Sequence, residues 1–289
     1  MFKNFILLKF ISKKKYAEEF LDGHIFLNTV DYYWNEFCLG NSNNVTGQLD
    51  LLEGTVSVVD VEKFGFDAFF STDLIFRAVG YKYCNVACFY KLDYKIVGTE
   101  GAYVTSYSIH PKMKEFGEYV VVITDKNKFL RYINRVFRTY ECNKYKYLCG
   151  EVNYHKLTRC GENIEIGHHI GLRGDFEISI GDDKYRHSII EERDVFDKGF
   201  NYSYQNEWRI AMYRGKKDNL PYTLDIGNIR DIAFLCRVDE LEKKIDEAFA
   251  KQEIKISKSG YYGNVDRNEM RRLFYRLGKY KAVPFGTMG

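Results

Sequence analysis

"SYQNEWRIAMY", residues Ser203 to Tyr213, reads as a strand because its side chains alternate in character. Gln205, Glu207, Arg209 and Ala211 fall in one row, and Trp208, Ile210 and Met212 in the other. The second row predicts a side that faces a core. The first sets an amide, a carboxylate and a guanidinium in line. Such a row is either a structural ion pair at a sheet surface or the working edge of an active site.

Around this stretch strands and helices mix. "NFILLKF" (Asn4–Phe10) reads as a strand, and the segment from Ser12 as a helix capped by Ser12 and stopped at Gly23. "HIFLN", "EGTVSVVDV", "NVACFYKLDY" and "EYVVVIT" follow as strands. Asp125 caps a helix whose inner stripe is Phe129, Ile133, Val136 and Phe137. Hairpins occupy the middle, with "GDD" marking one turn. "YTLDIGNIRDIAFLC" holds two strand pieces. Asp239 caps a helix with Leu241, Ile245, Ala248 and Phe249 inward. A last helix runs from about Arg267 to Leu277, with Asp266 and Glu269 at capping-box spacing. No regular βαβ alternation and no repeat is present, which predicts an α+β fold. One domain is expected over residues 1–289, with a basic helical extension over about 239–289.

The chain has 289 residues, enough for a sizeable core. Aromatic residues make up 17%, which argues against disorder. The formal net charge is +3, from 43 basic and 40 acidic residues, so overall charge permits a nucleic-acid partner without demanding one. The seven cysteines follow no disulfide or zinc-knuckle spacing. No stretch reaches transmembrane length, and the apolar run at the N-terminus is too short for a signal peptide. The expectation is a cytoplasmic protein with free thiols and no membrane association.

Phosphate-binding glycine motifs and the nucleophile elbow are absent. Cys149, His155, Cys160, His168 and His169 are too scattered for a zinc site, so no metal is expected. Cys84 and Cys88 read as core. Asp50 and Glu53 are three apart in "QLDLLEG" and by default are solvated carboxylates. The last helix carries Met270, Leu273, Phe274 and Leu277 on an apolar stripe. Arg271, Arg272 and Arg276 make its remaining surface basic. That surface is either a solvated face or one that contacts nucleic-acid phosphates, with nearby tyrosines for base stacking.

The order of motifs resembles the ADP-ribosyltransferase superfamily. Glu207-Trp208-Arg209-Ile210 opens a late strand, and "YTLDIGNIRDIAFL" follows it. The DNA-modifying toxin branch called DarT is similar. So is a bacterial and phage family with E-W-R-[IL] near its end. That family's early motifs have counterparts in Gly23-His24-Ile25-Phe26 and Asp50-Leu51-Leu52-Glu53-Gly54. "CFYKLDY" lies where such proteins carry a Cys-Phe-Ser-like strand. The resemblance implies a split mixed or antiparallel sheet with flanking helices. It also implies NAD as substrate.

Gln205-Asn206-Glu207 resembles the Gln-x-Glu form of the superfamily's catalytic motif. By that resemblance Glu207 stabilises an oxocarbenium-like ribose, Gln205 positions the acceptor, and Arg209 binds phosphate or locks Glu207. The cofactor-gripping position of the first strand holds Lys9, where the family has His or Arg. Tyr32, Tyr33, Phe89 and Tyr90 are the residues expected to stack on nicotinamide or adenine. The implied function is ADP-ribosylation of nucleic acid, RNA favoured over DNA, by a toxin or phage-defence effector with an antitoxin or regulatory protein as partner. The alternatives are a binding module that lost the chemistry, or a nuclease using Asp50, Glu53 and Glu207 with a divalent ion.

Overall fold

The computed structural model describes residues 4–33, 55–59, 74–97, 104–139, 144–155, 175–180, 183–188, 194–251, 253–255, 260–277 and 280–284. Asp50 and Glu53 lie outside them. The strands are β1 (Asn4–Ile11), β2 (His24–Thr29), β3 (Thr55–Val59), β4 (Leu74–Ala78), β5 (Asn85–Val97), β6 (Val104–Tyr107), β7 (Tyr119–Ile123), β8 (Lys146–Glu151) and β9 (Asn153–His155). They continue as β10 (Asp175–Ile180), β11 (Asp183–Ser188), β12 (Asp197–Gly199), β13 (Glu207–Tyr213), β14 (Tyr222–Asp225), β15 (Ala233–Arg237), β16 (Tyr262–Gly263) and β17 (Tyr280–Pro284). The helices are α1 (Lys14–Leu21), α2 (Lys126–Phe137), α3 (Leu241–Ala250) and α4 (Arg267–Leu277). The fold is α+β, with helices flanking a large antiparallel sheet of ten strands.

The sheet is organised by its longest strand, β5. One edge of β5 pairs with β1 over residues 90–94 and with β2 only at Val86 and Asn85. Between those two ladders, Ala87, Cys88 and Phe89 have no strand partner on that edge among the described residues. The other edge pairs with β13 over residues 85–90 and with β6 over residues 94–97. Two half-sheets therefore share β5: β15-β7-β1 with β6, and β14-β2 with β13-β8-β16. A seam separates β1 from β2.

Alternation along each strand sorts the side chains into separate cores. Phe5, Leu7, Phe89, Val121, Ile123, Trp208, Ile210 and Met212 meet α1 and α2 through Phe20, Phe129 and Ile133. Each fully buried side chain of this size contributes about 1.5–3 kcal/mol of transfer free energy. The opposite face carries two clusters. Ile6, Leu8, Tyr90, Leu92, Val120 and Val122 pack on Leu241 and Ile245 of α3. Val86, Leu148, Ala211 and Tyr213 pack on Met270 and Phe274 of α4. The expected core row of the opening stretch, Trp208, Ile210 and Met212, is thus observed.

Local signals explain most of the boundaries. Asp125 accepts a hydrogen bond from the Lys128 amide at 2.8 Å, and Asp266 does the same for Glu269 at 2.8 Å. Gly23 ends α1 at φ +101°, and an added Cβ there would lie 2.1 Å from the Gly227 carbonyl oxygen. Two expected caps differ. Ser12 lies in a bend, and the cap position of α1 is Lys13, without a side-chain bond. Asp239 sits inside a 3-10 turn and pairs with Arg237 at 3.1 Å. The expected basic extension is built into the fold: β16 joins β8, α4 covers a core, and β17 pairs with β4.

Candidate functional site

Glu207 begins β13 in register with Tyr90. Its side chain shares a face with Cys88 and Arg209, opposite Trp208 and Phe89. This face lies between the α3-covered and α4-covered cores, where the two half-sheets diverge. The position is buried, with Glu207 5% exposed and Arg209 1%. A charged group so placed must be paired.

The pairing is dense. Arg209 Nε donates to Glu207 Oε1 at 2.5 Å and Nη2 to Oε2 at 3.3 Å. Lys198 Nζ donates to Oε2 at 3.3 Å and to Gln205 Oε1 at 2.7 Å. Arg209 Nη1 also donates to the Val195 carbonyl at 2.5 Å. The Glu207 amide donates to the Tyr154 hydroxyl at 2.8 Å. Burial alone would raise the Glu207 pKa, but the Arg209 and Lys198 charges and the hydrogen bonds outweigh it. The carboxyl is held well below the usual range and is ionised. Cys88 hydrogen-bonds to the same carboxylate, and burial and that charge push its thiol up to about 12. The thiol is therefore protonated and unsuited to nucleophilic work at neutral pH.

Lys9 approaches the seam from the Phe89 side. Its Nζ donates to the Cys88 carbonyl at 2.8 Å and lies 5.4 Å from the Phe89 ring centroid. Burial lowers its pKa, partly offset by the Cys88 and Glu207 charges. Lys9, Cys88, Glu207, Arg209, Gln205 and Lys198 thus converge.

Not every expected residue joins them. Gln205 reaches the site from a 3-10 turn (Phe200–Gln205) rather than from the strand, because Asn206 breaks the alternation at φ 35°. Phe89 is 2% exposed and packs edge-on to Phe20, Phe129 and Trp208 in the core. It therefore offers no stacking face, which corrects that expectation. Tyr90 lies on the Glu207 face but is buried against Phe10. Tyr32 and Tyr33 follow the end of β2, where Thr29 pairs with Asn85. That is five β5 residues from the Glu207 register, roughly 17 Å at strand spacing.

Arg271 is likewise corrected as a surface phosphate contact. It is 3% exposed, and its Nη2 donates to Asp194 at 3.1 Å. Arg272 and Arg276 are exposed. Arg267 pairs with Asp194 at 2.7 Å and Asp197 at 2.6 Å, which fastens α4 to β12. Sequence reasoning missed Lys198 and Tyr154. Their signal would have been one lysine in the otherwise aromatic and apolar "VFDKGFNY" just before Glu207.

No group of His, Cys, Asp and Glu suited to a metal ion occurs among the described residues. Among them, no helix is long and apolar enough to cross a membrane. Compared with protein-family models, curated proteins and solved structures, the chain matches none.

Proposed function

We propose that this chain is an NAD-dependent ADP-ribosyltransferase with Glu207 as the carboxylate at the reacting ribose. The observation that carries the reading is an ionised glutamate at the seam of a two-part sheet, contacted by Arg209 and Lys198 and faced by Lys9. When nicotinamide leaves, C1′ of the ribose becomes oxocarbenium-like, and a fixed carboxylate stabilises that charge. Cationic side chains suit the pyrophosphate, arginine through its planar fork and lysine as a point charge. Lys198 fixes Gln205 beside the carboxylate, where its amide orients the acceptor. The two half-sheets sharing β5 support the split-sheet architecture that the motif order implies.

Nucleic acid, RNA before DNA, is the acceptor proposed here. Exposed Arg272 and Arg276 support it. A role as a toxin or phage-defence effector, with a regulatory protein as partner, rests on the sequence resemblance. The test uses labelled NAD with wild type and Glu207→Gln, supplied with RNA, DNA or cell extract. Label transfer by wild type alone supports the reading. Absence of both nicotinamide release and transfer from folded wild type overturns it.

One observation favours a second reading. Both Glu207 oxygens are already engaged by Arg209 and Lys198 in a buried setting. A chain that kept the fold as a nucleic-acid or protein binding module would hold its glutamate this way. Salt-sensitive RNA binding without NAD consumption would support that reading.

A further inference from the structure

One residue beyond Tyr154, the strand pair β9–β12 carries a second set of polar side chains that Glu207 does not use. β12 runs parallel to β9, with Asp197 opposite Asn153, Lys198 opposite Tyr154 and Gly199 opposite His155. Lys198 turns to Glu207. Its neighbour Asp197 turns the other way and meets His155, with Oδ1 2.8 Å from Nε2. The second carboxylate oxygen of Asp197 accepts from the Asp194 amide at 2.8 Å and from Arg267 Nη2 at 2.6 Å.

Burial alone would raise the Asp197 pKa, but the His155 hydrogen bond and the Arg267 charge hold it well below the usual range. An ionised carboxylate only accepts hydrogen bonds, so His155 Nε2 carries the proton of that bond. The ring's lone pair then sits on Nδ1, which makes no hydrogen bond among the described residues. The His155 side chain is 39% exposed, while Asp197 is buried. A fixed acid, an oriented imidazole and an open basic nitrogen form the arrangement that accepts a proton from an attacking group.

The surroundings favour a flat acceptor. Phe200 follows Gly199, the register partner of His155, and is 53% exposed. Tyr261 is 39% exposed, and Arg267, which grips Asp197, donates to its hydroxyl at 3.3 Å. Two exposed aromatic rings therefore belong to the same connected group as the imidazole. Aromatic faces of this kind stack nucleobases with little sequence preference.

We propose that His155, oriented by Asp197, is the general base for the acceptor, and that Phe200 and Tyr261 flank it as a stacking surface for a nucleobase of single-stranded nucleic acid. The proposal rests on the ADP-ribosyltransferase reading. Nicotinamide leaves C1′ with the bonding electron pair. A lone pair of the acceptor's O–H or N–H group forms the new bond to C1′. The acceptor's proton passes to His155 Nδ1 and from there to water. No further reactant is required.

The experiment measures, with labelled NAD and a single-stranded RNA oligonucleotide, how much cleaved NAD goes to the RNA and how much to water. His155→Gln, which keeps a hydrogen bond to Asp197, is expected to lower that transfer-to-hydrolysis ratio by about 100-fold or more. Phe200→Ala and Tyr261→Ala are expected to raise KM for the RNA. An unchanged ratio in folded His155→Gln, whether or not total turnover falls, overturns the general-base assignment and leaves the NAD reading standing. Transfer to protein but not to RNA overturns the stacking surface. Absence of any nicotinamide release from wild type overturns the ADP-ribosyltransferase reading, and this inference with it.

Discussion

Lys9 Nζ donates a 2.8 Å hydrogen bond to the Cys88 carbonyl, across the seam where neither β1 nor β2 pairs with β5. A side chain thus does what a neighbouring strand does elsewhere on that edge. Lys9→Met removes the donor and leaves a half-buried carbonyl unsatisfied. The expected loss of stability is about 1–3 kcal/mol, reduced by the relief of a buried ammonium. Thermal melting checks it. On the proposed function, NAD turnover also falls and Lys9→Arg restores part of it.

Arg209 and Glu207 form a buried pair in which each needs the other. Arg209→Met strands an ionised carboxylate and is expected to cost about 3–5 kcal/mol. Glu207→Gln combined with Arg209→Met should cost less than the sum of the single changes, in a denaturation double-mutant cycle. The pH dependence follows from the depressed folded-state pKa of Glu207. Its contribution is fully present above the unfolded value of 4.5 and is lost as pH falls below it toward the folded value. The stability gap between wild type and Glu207→Gln should therefore shrink on acidification from about pH 4.5. A gap that stays constant down to pH 3 would contradict this placement of the charge.

Arg267 and Arg272 lie on the same helix with opposite fates. Arg267→Met breaks the link to Asp194 and Asp197 and is expected to cost about 3–5 kcal/mol. Arg272→Ala and Arg276→Ala should stay within about 0.5 kcal/mol. If the exposed side of α4 meets phosphates, each of these two changes lowers the slope of log affinity against log salt by about one. Urea denaturation and RNA titration at several salt concentrations separate the two roles.

Lys126 gives a test in the alkaline range. Its ammonium lies 4.4 Å from the Phe5 ring centroid and 4.8 Å from that of Tyr262. Burial, only partly offset by Glu151, lowers its pKa to about 8 from 10.5. Between those values the unfolded chain binds more protons at this residue than the folded one, so its contribution to stability rises with pH. Wild type should gain on Lys126→Met between about pH 8 and 10.5. The difference between the two removes the effect of other titrating groups. A flat difference across that range would refute the shift.

Much of the architecture was legible because both faces of the central strands are covered. β1 and β7 alternate between two cores, and the helices show one apolar stripe each. The site was less legible. Gln205 counts onto the Glu207 row only if the strand runs through Asn206, whose left-handed backbone ends it. Phe89 and Tyr90 are adjacent in a strand and so must face opposite ways, which alone excludes a shared stacking role. Arg271 lies four residues after Arg267 and therefore turns with it toward Asp194, while Arg272 and Arg276 turn away together. Lys198 sits on a strand of three residues, too short to show any periodicity.

β5 reaches from one half-sheet to the other, and the pairings that fix its ends come from different neighbours. Cys88, midway, has its backbone groups directed into the seam, where a lysine side chain stands in for a ladder. Any spreading of the halves must turn on this point, much as a door turns on its pin. Deuterium uptake at the Cys88 amide would then register how often the molecule opens, apart from whatever it does when open.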